Sequence, residues 1–206
     1  LTYAYPRASE QGLKLKTLLS TYQKAGGQDA VILLHSQDAG QALVNDLGRA
    51  AQLKVAQGVP AHVIPVALWH TASLGLDVWL TALAYGAAQV LVLQTAEEAP
   101  QYSEGLQAQM QQAQALLEGL GYAKAGTLPV SLVHATQATE LDAELQRLTT
   151  GAQRLRQALP LATFAVTAEK RSTLNLAIDH LLEHAPVLNT GSSPHALALP
   201  KNGALW

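Results

Sequence analysis

The sequence predicts an α/β domain: an open doubly wound, mostly parallel sheet of about five strands with helices on both faces, Rossmann-like or flavodoxin-like. Three observations predict it. The stretch from Ala61 to Tyr102 reads as strand, helix, strand and the start of a second helix, with His62–Ala67 and Ala88–Gln94 as short apolar runs, Ser73–Tyr85 as helix and Gly86 as its stop. Two parallel strands joined by a crossover helix form a βαβ unit, and such units stack into sheets covered on both faces. The same alternation of helix and apolar run recurs along the chain, and its apolar runs lack the period-two pattern of a half-exposed sheet.

Taken in order, Thr2–Pro6 is a short extended segment, since Pro6 biases Tyr5 away from helix. Ser9 can cap a helix to about Ala25, with Leu15, Leu18, Leu19 and Tyr22 on one face and Gly26-Gly27 ending it. Ala30–His35 is the first central strand, Ala39–Leu53 a helix, and Gly58-Val59-Pro60 the turn into the next strand. Beyond the βαβ unit, Ser103–Leu120 carries Leu106, Met110, Ala113, Leu117 and Leu120 at helical spacing, and glutamines fill the outward positions. Leu128–Ala135 is a strand with Pro129 near its start, where a missing N–H is tolerated. Thr136 or Thr139 starts a helix with Leu141, Leu145 and Leu148 inward, Gly151 interrupts it, and Gln153–Leu159 reads as a second short helix. Ala162–Thr167 is the fifth strand, and Ser172–His184 a helix with Leu174, Ala177, Ile178, Leu181 and Leu182 on its buried side.

This order divides the chain into a helical lead-in over residues 1–27, the α/β domain over 28–186, and an extended tail or linker over 187–206. The start Leu1-Thr2-Tyr3 has neither an initiator Met nor a secretion signal, so a segment of a longer protein is expected. A formal charge of -2, with 13 Lys+Arg against 15 Asp+Glu, leaves no electrostatic footprint for nucleic acid or anionic lipid. Cysteine is absent, which excludes disulfides, thiol nucleophiles, thiolate-held zinc and cysteine-ligated clusters in this chain. Val78–Leu93 is nearly all apolar or small, but Gly86 and Gln89 break it below the ~20 residues of a membrane span.

Ligands of such folds bind beyond the carboxyl ends of the strands. That rim comprises His35–Asp38, His70–Ser73, Gln94–Glu97, His134–Thr136 and Thr167–Arg171. His35, His70 and His134 stand at or just past three strand ends, where imidazoles could form a metal or acid–base site; against this, a polar residue that ends a strand and bonds a loop is ordinary, and no acidic residue sits at fixed spacing to complete a metal motif. His180 and His184 share one helical face, but His-Leu-Leu-Glu-His lacks the glutamate that a zinc protease places after its first histidine, and a solvated face is expected. Lys170 and Arg171 precede the helix that Ser172 would cap, where cations oppose the helix dipole unless an anion or a partner's carboxylates are held there. Neither G-x-G-x-x-G nor the P-loop pattern is present, and Ser73 in Thr71-Ala72-Ser73-Leu74-Gly75 lacks the glycine of a nucleophile elbow, so Ser73 reads as a helix cap.

Several blocks carry a family resemblance: Thr17-Leu18-Leu19 through Tyr22 to Gly26-Gly27; Gly58-Val59-Pro60-Ala61 with Val63-Ile64-Pro65; Ala72-Ser73-Leu74-Gly75-Leu76-Asp77; Ala84-Tyr85-Gly86-Ala87 with Val90-Leu91-Val92-Leu93; and Lys170-Arg171 through Ala177-Ile178-Asp179-His180-Leu181 to His184-Ala185-Pro186. Together they resemble the central region of large proteobacterial 4Fe-4S ferredoxin-type proteins, in which cysteine-rich cluster modules flank such a region. More distantly, Val63–Tyr102 is similar to the delta subunit of methyl-viologen-reducing hydrogenases, whose cysteines after the strands help hold a cluster. His70 and Thr95 align with two of those cysteines, so the chain departs from the ligand pattern.

The resemblance implies a cytoplasmic, cluster-free domain of an iron–sulfur electron-transfer protein, with no catalytic or metal site of its own and 4Fe-4S clusters in flanking modules. It would position those ferredoxin modules or dock a redox partner, with no nucleic acid and no membrane span involved. The candidate rim is His35, Trp69, His70, Ser73, Thr95, His134, Lys170 and Arg171, with Trp69 as an aromatic anchor. The alternative from another class is a small-molecule or enzymatic domain in which His70 or His134 serves as acid–base and Lys170/Arg171 grips an anionic ligand.

Overall fold

A computed structural model describes residues 7–124, 127–149, 155 and 159–186 of the chain. Among the described residues four strands, β1 (Val31–Ser36), β2 (Val63–Leu68), β3 (Gln89–Gln94) and β4 (Val130–His134), form one parallel sheet in the order β2-β1-β3-β4. Among the described residues six helices surround it: α1 (Ala8–Lys24), α2 (Ala39–Gln52), α3 (Leu76–Ala84), α4 (Pro100–Gly119), α5 (Ala138–Leu148) and α6 (Lys170–Glu183). The fold is α/β, flavodoxin- or Rossmann-like, with helices on both sides of the sheet.

Period-two side-chain direction divides the central strands between two cores. Ile32, Leu34, Val90 and Val92 pack with Leu15 and Leu19 of α1, Trp79, Leu80 and Leu83 of α3, Leu106 and Leu117 of α4, and Ala177 and Leu181 of α6. Val31, Leu33, Leu91 and Leu93 face the other way, against Leu43 and Leu47 of α2 and Leu141, Leu145 and Leu148 of α5. Every residue of β1 and β3 is buried, as continuous apolar runs in a doubly covered sheet require. Each large side chain so buried contributes ~1.5–3 kcal/mol. Among the described residues no helix is long and apolar enough to cross a membrane.

Several boundaries differ from expectation. Thr71–Ser73 is a separate 3-10 turn, and α3 begins only at Leu76, with Gly75 in the capping position. Ser73 is therefore not a helix cap; its hydroxyl donates to His70 O across 2.7 Å. Pro100 opens α4 three residues before Ser103, because its fixed φ suits the first helical turn. Gln137, not Thr136 or Thr139, precedes α5, and its side chain and that of Glu140 form a capping box. Likewise α6 starts at Lys170 after Glu169, and the Ser172 hydroxyl turns back to the Glu169 carboxylate at 3.0 Å. Gly86 does close α3, with a φ of 102° that a side chain would strain.

The expected fifth strand over Ala162–Thr167 is not part of the sheet. That segment crosses α1 and α3 instead, and other groups take its main-chain bonds: Ala162 N–H donates to Ala84 O, Lys16 Nζ reaches Thr163 O and Phe164 O, Tyr85 Oη donates to Phe164 O, and Thr167 N–H donates to Thr173 Oγ1. An apolar run of strand length is thus satisfied without a ladder, because a helix-borne cation and hydroxyls supply the partners. The short helix expected over Gln153–Leu159 and the tail from Val187 onward lie outside the described residues, apart from Leu155 and Leu159, which fall in no element.

Candidate functional site

The chain enters β2 and β3 on opposite sides of β1, and α2 and α3 cover opposite faces. The topological switch point therefore lies between the carboxyl ends of β1 and β3, where doubly wound folds form their binding crevice. A shallow cleft of about 270 Å³ opens there on the α2 side, lined by Ala39, Asp46, Thr95, Glu97 and Thr136 among others. Ser36 Oγ accepts Gly40 N–H at 2.8 Å and donates to Glu97 at 3.3 Å, so the β1 end, the start of α2 and the β3 loop are tied together. A Cβ on Gly40 would stand 2.9 Å from that of His35, which is why the helix can seat so closely on the strand end.

One carboxylate organises the neighbouring loops. Glu98, 8% exposed, accepts Thr71 Oγ1 at 2.9 Å, Thr95 N–H at 2.7 Å and Thr95 Oγ1 at 3.0 Å. It holds the turn after β2 against the turn after β3 with charge-assisted bonds of the stronger kind. The spacing Thr95-x-x-Glu98 is the signal that could have found it, because a hydroxyl followed three residues later by an acid is a turn and cap pattern.

On the loop so held, Trp69 is 61% exposed. His70 beside it accepts Ala72 N–H through Nδ1 at 3.0 Å and meets Tyr102, in the first turn of α4, edge to face at 6.0 Å between ring centroids. Tyr102 is itself 48% exposed. From α6, Lys170 Nζ bonds Ser73 O at 3.1 Å, which brings an exposed ammonium to the same turn, with Arg171 exposed next to it. Three aromatic rings and a cation thus share one corner of the rim. Tyr102 was missed in sequence; it is an aromatic in a polar first turn, and only the fold brings it to His70.

The three strand-end histidines do not come together. His35 is 1% exposed, its Nδ1–H donating to Ser36 O at 2.8 Å, and burial holds its pKa below the usual imidazole value. His70 follows β2 and His134 ends β4, which are the two outer strands, three strand spacings or about 14 Å apart. Among the described residues no group of three or more His, Cys, Asp or Glu could hold a metal. Thr95 is half-buried in the Glu98 network, and His134 is exposed beside α4 at the far edge. His180 in α6 and His184 just past its end have ring centroids 4.5 Å apart at a tilt of 42°, with one nitrogen of each on a main-chain carbonyl.

No family model matches the chain, and no curated protein matches it.

Proposed function

We propose that this chain is a cluster-free docking module that uses the Trp69 corner of its carboxyl rim to engage an acidic redox partner of ferredoxin type. The exposure of Trp69 on a loop pinned by Glu98 carries the reading. A tryptophan offers a large contact area with only two side-chain rotations to lose on binding, which is what interface anchors need. His70 and Tyr102 extend the apolar surface, and Lys170 sets a positive charge at its border, so a partner with carboxylates around an apolar patch is complementary to it. The lack of cysteine leaves electron transfer to clusters outside this chain.

The charge distribution weighs against an anionic ligand in the switch-point cleft. Glu97 and Asp46 line it, whereas Lys170 and Arg171 belong to α6, which packs on α3 across the sheet. The purified chain is expected to carry no iron or sulfide by metal analysis and absorption spectroscopy, and to gain no thermal stability from nucleotides, flavins or phosphorylated metabolites. A stoichiometric cluster signal, or a metabolite that raises the melting temperature of the parent but not of His70→Ala or Arg171→Ala, would overturn the docking role.

A further inference from the structure

The two edges of the sheet are finished differently. At the β2 edge, Val31 N–H donates to His62 O and Gln37 N–H to Leu68 O, which turns Val63, Pro65 and Ala67 outward. Each of these is blunted: Val63 N–H donates to Pro60 O, Pro65 has no N–H, and Lys14 Nζ stands 3.5 Å from Ala67 O. Proline and lysine on an edge are protections against strand pairing. At the other edge, Val90 N–H donates to Pro129 O and Ala135 N–H to Gln94 O, which turns the N–H and C=O groups of Val130, Leu132 and His134 outward. Among the described residues none of these six groups has a hydrogen-bond partner, and no proline or lysine lies within the strand.

Beside this open edge runs a groove of about 470 Å³ between β4 and α4, and the helix presents Gln107, Gln111, Gln114 and Glu118 to it at steps of four, three and four residues. Gln114 donates through Nε2 to Glu118 at 2.6 Å, while its Oε1 is buried without a partner.

We propose that this edge is an interface between two copies of the chain, formed by antiparallel β4 pairing about a two-fold axis at Leu132. In that register Val130 exchanges two hydrogen bonds with His134 of the second copy, Leu132 exchanges two with its own counterpart, and all six outward groups are satisfied on each strand. Because α4 runs antiparallel to β4, the same axis brings Gln107 and Glu118 of the two copies together and sets Gln111 opposite Gln114. It also sets Glu118 beside His134 of the second copy, a carboxylate against an imidazole with no like-charge contact in the groove. A second copy is favoured over an unrelated strand because the polar stripe is complementary to itself when reversed. The interface is separate from the Trp69 corner and does not depend on its role.

Sedimentation equilibrium of the full 206-residue chain tests this. A concentration-dependent mass of twice 21.8 kDa is expected. His134→Pro removes an outward N–H together with the imidazole that would face Glu118, and should weaken the dimer by about tenfold or more, with circular dichroism unchanged. His134→Glu, facing Glu118, should weaken it likewise, and adding Glu118→Lys should restore it. Trp69→Ala should leave it unaltered. A monomer at all concentrations overturns the proposal, as does a dimer indifferent to both His134 variants. Slow amide exchange at Leu132 in a monomeric sample would also overturn it, since another strand would then cover the edge.

Discussion

Thr71 donates its hydroxyl to the Glu98 carboxylate across 2.9 Å, joining the turn after one outer strand of the sheet to the turn after an inner one. Both groups are buried, and Glu98 receives two further bonds from Thr95. The exposed corner of Trp69, His70 and Tyr102 therefore stands beside a buried polar network that ties its turn to the next one.

Removing the carboxylate should cost stability. Glu98→Ala strands the Thr71 hydroxyl and the Thr95 N–H, and each buried group left unmade costs ~1–3 kcal/mol. A lower midpoint in chemical denaturation is expected, with Glu98→Gln intermediate because one amide oxygen can still accept. Unchanged stability in Glu98→Ala would show that the network is not formed in solution.

Trp69→Ala should behave in the opposite manner. An exposed side chain without a described hydrogen bond changes folding stability by no more than ~0.5 kcal/mol. Loss of an interface anchor costs ~2 kcal/mol or more of binding, about thirtyfold in affinity. Thermal melts paired with binding titrations separate the two effects.

His35 should make the domain acid-sensitive. Burial, aided by the charge of Lys14 and opposed by the bond to Ser36 O, holds its folded pKa below the ordinary 6.5. Between the two values the unfolded chain binds more protons, so this contribution to stability is complete above about pH 6.5 and is lost as the pH falls toward the folded value. Replacing His35 with Gln should flatten the stability profile from pH 7 to 5, measured by urea denaturation at each pH. A profile as steep as the parent's would place the titrating group elsewhere.

The segment that leaves the sheet is held by contact with α1. A Cβ on Gly12 would lie 2.2 Å from Val166 Cγ2, so Gly12→Ala should displace that segment and destabilise the chain by ~1–3 kcal/mol. Gly12→Ala combined with Val166→Ala should recover part of the loss. Additive losses in the double variant would mean that the two positions do not touch.

The sheet was legible because its two inner strands carry four-residue apolar runs, Val31–Leu34 and Val90–Leu93, between helices of clear period. Ala162–Thr167 has the same local character, yet its main chain is satisfied by Lys16, Tyr85 and Thr173, long-range partners that no window of sequence displays. The site divides in the same way. Trp69 and Lys170 were visible as residues at strand and helix ends, whereas Tyr102 joins them only because α4 descends beside the β2 turn. The histidines failed as a cluster because strand order, not strand sequence, decides which ends are neighbours.

The most direct measurement is a titration of the isotope-labelled chain with an acidic two-cluster 4Fe-4S ferredoxin, followed by amide and indole NMR at low and high salt. Saturable shifts centred on the Trp69 indole and on His70, Tyr102 and Lys170, weakening as salt rises, are the expected result. Shifts confined to another face, or none at any ferredoxin concentration in low salt, would contradict the docking role.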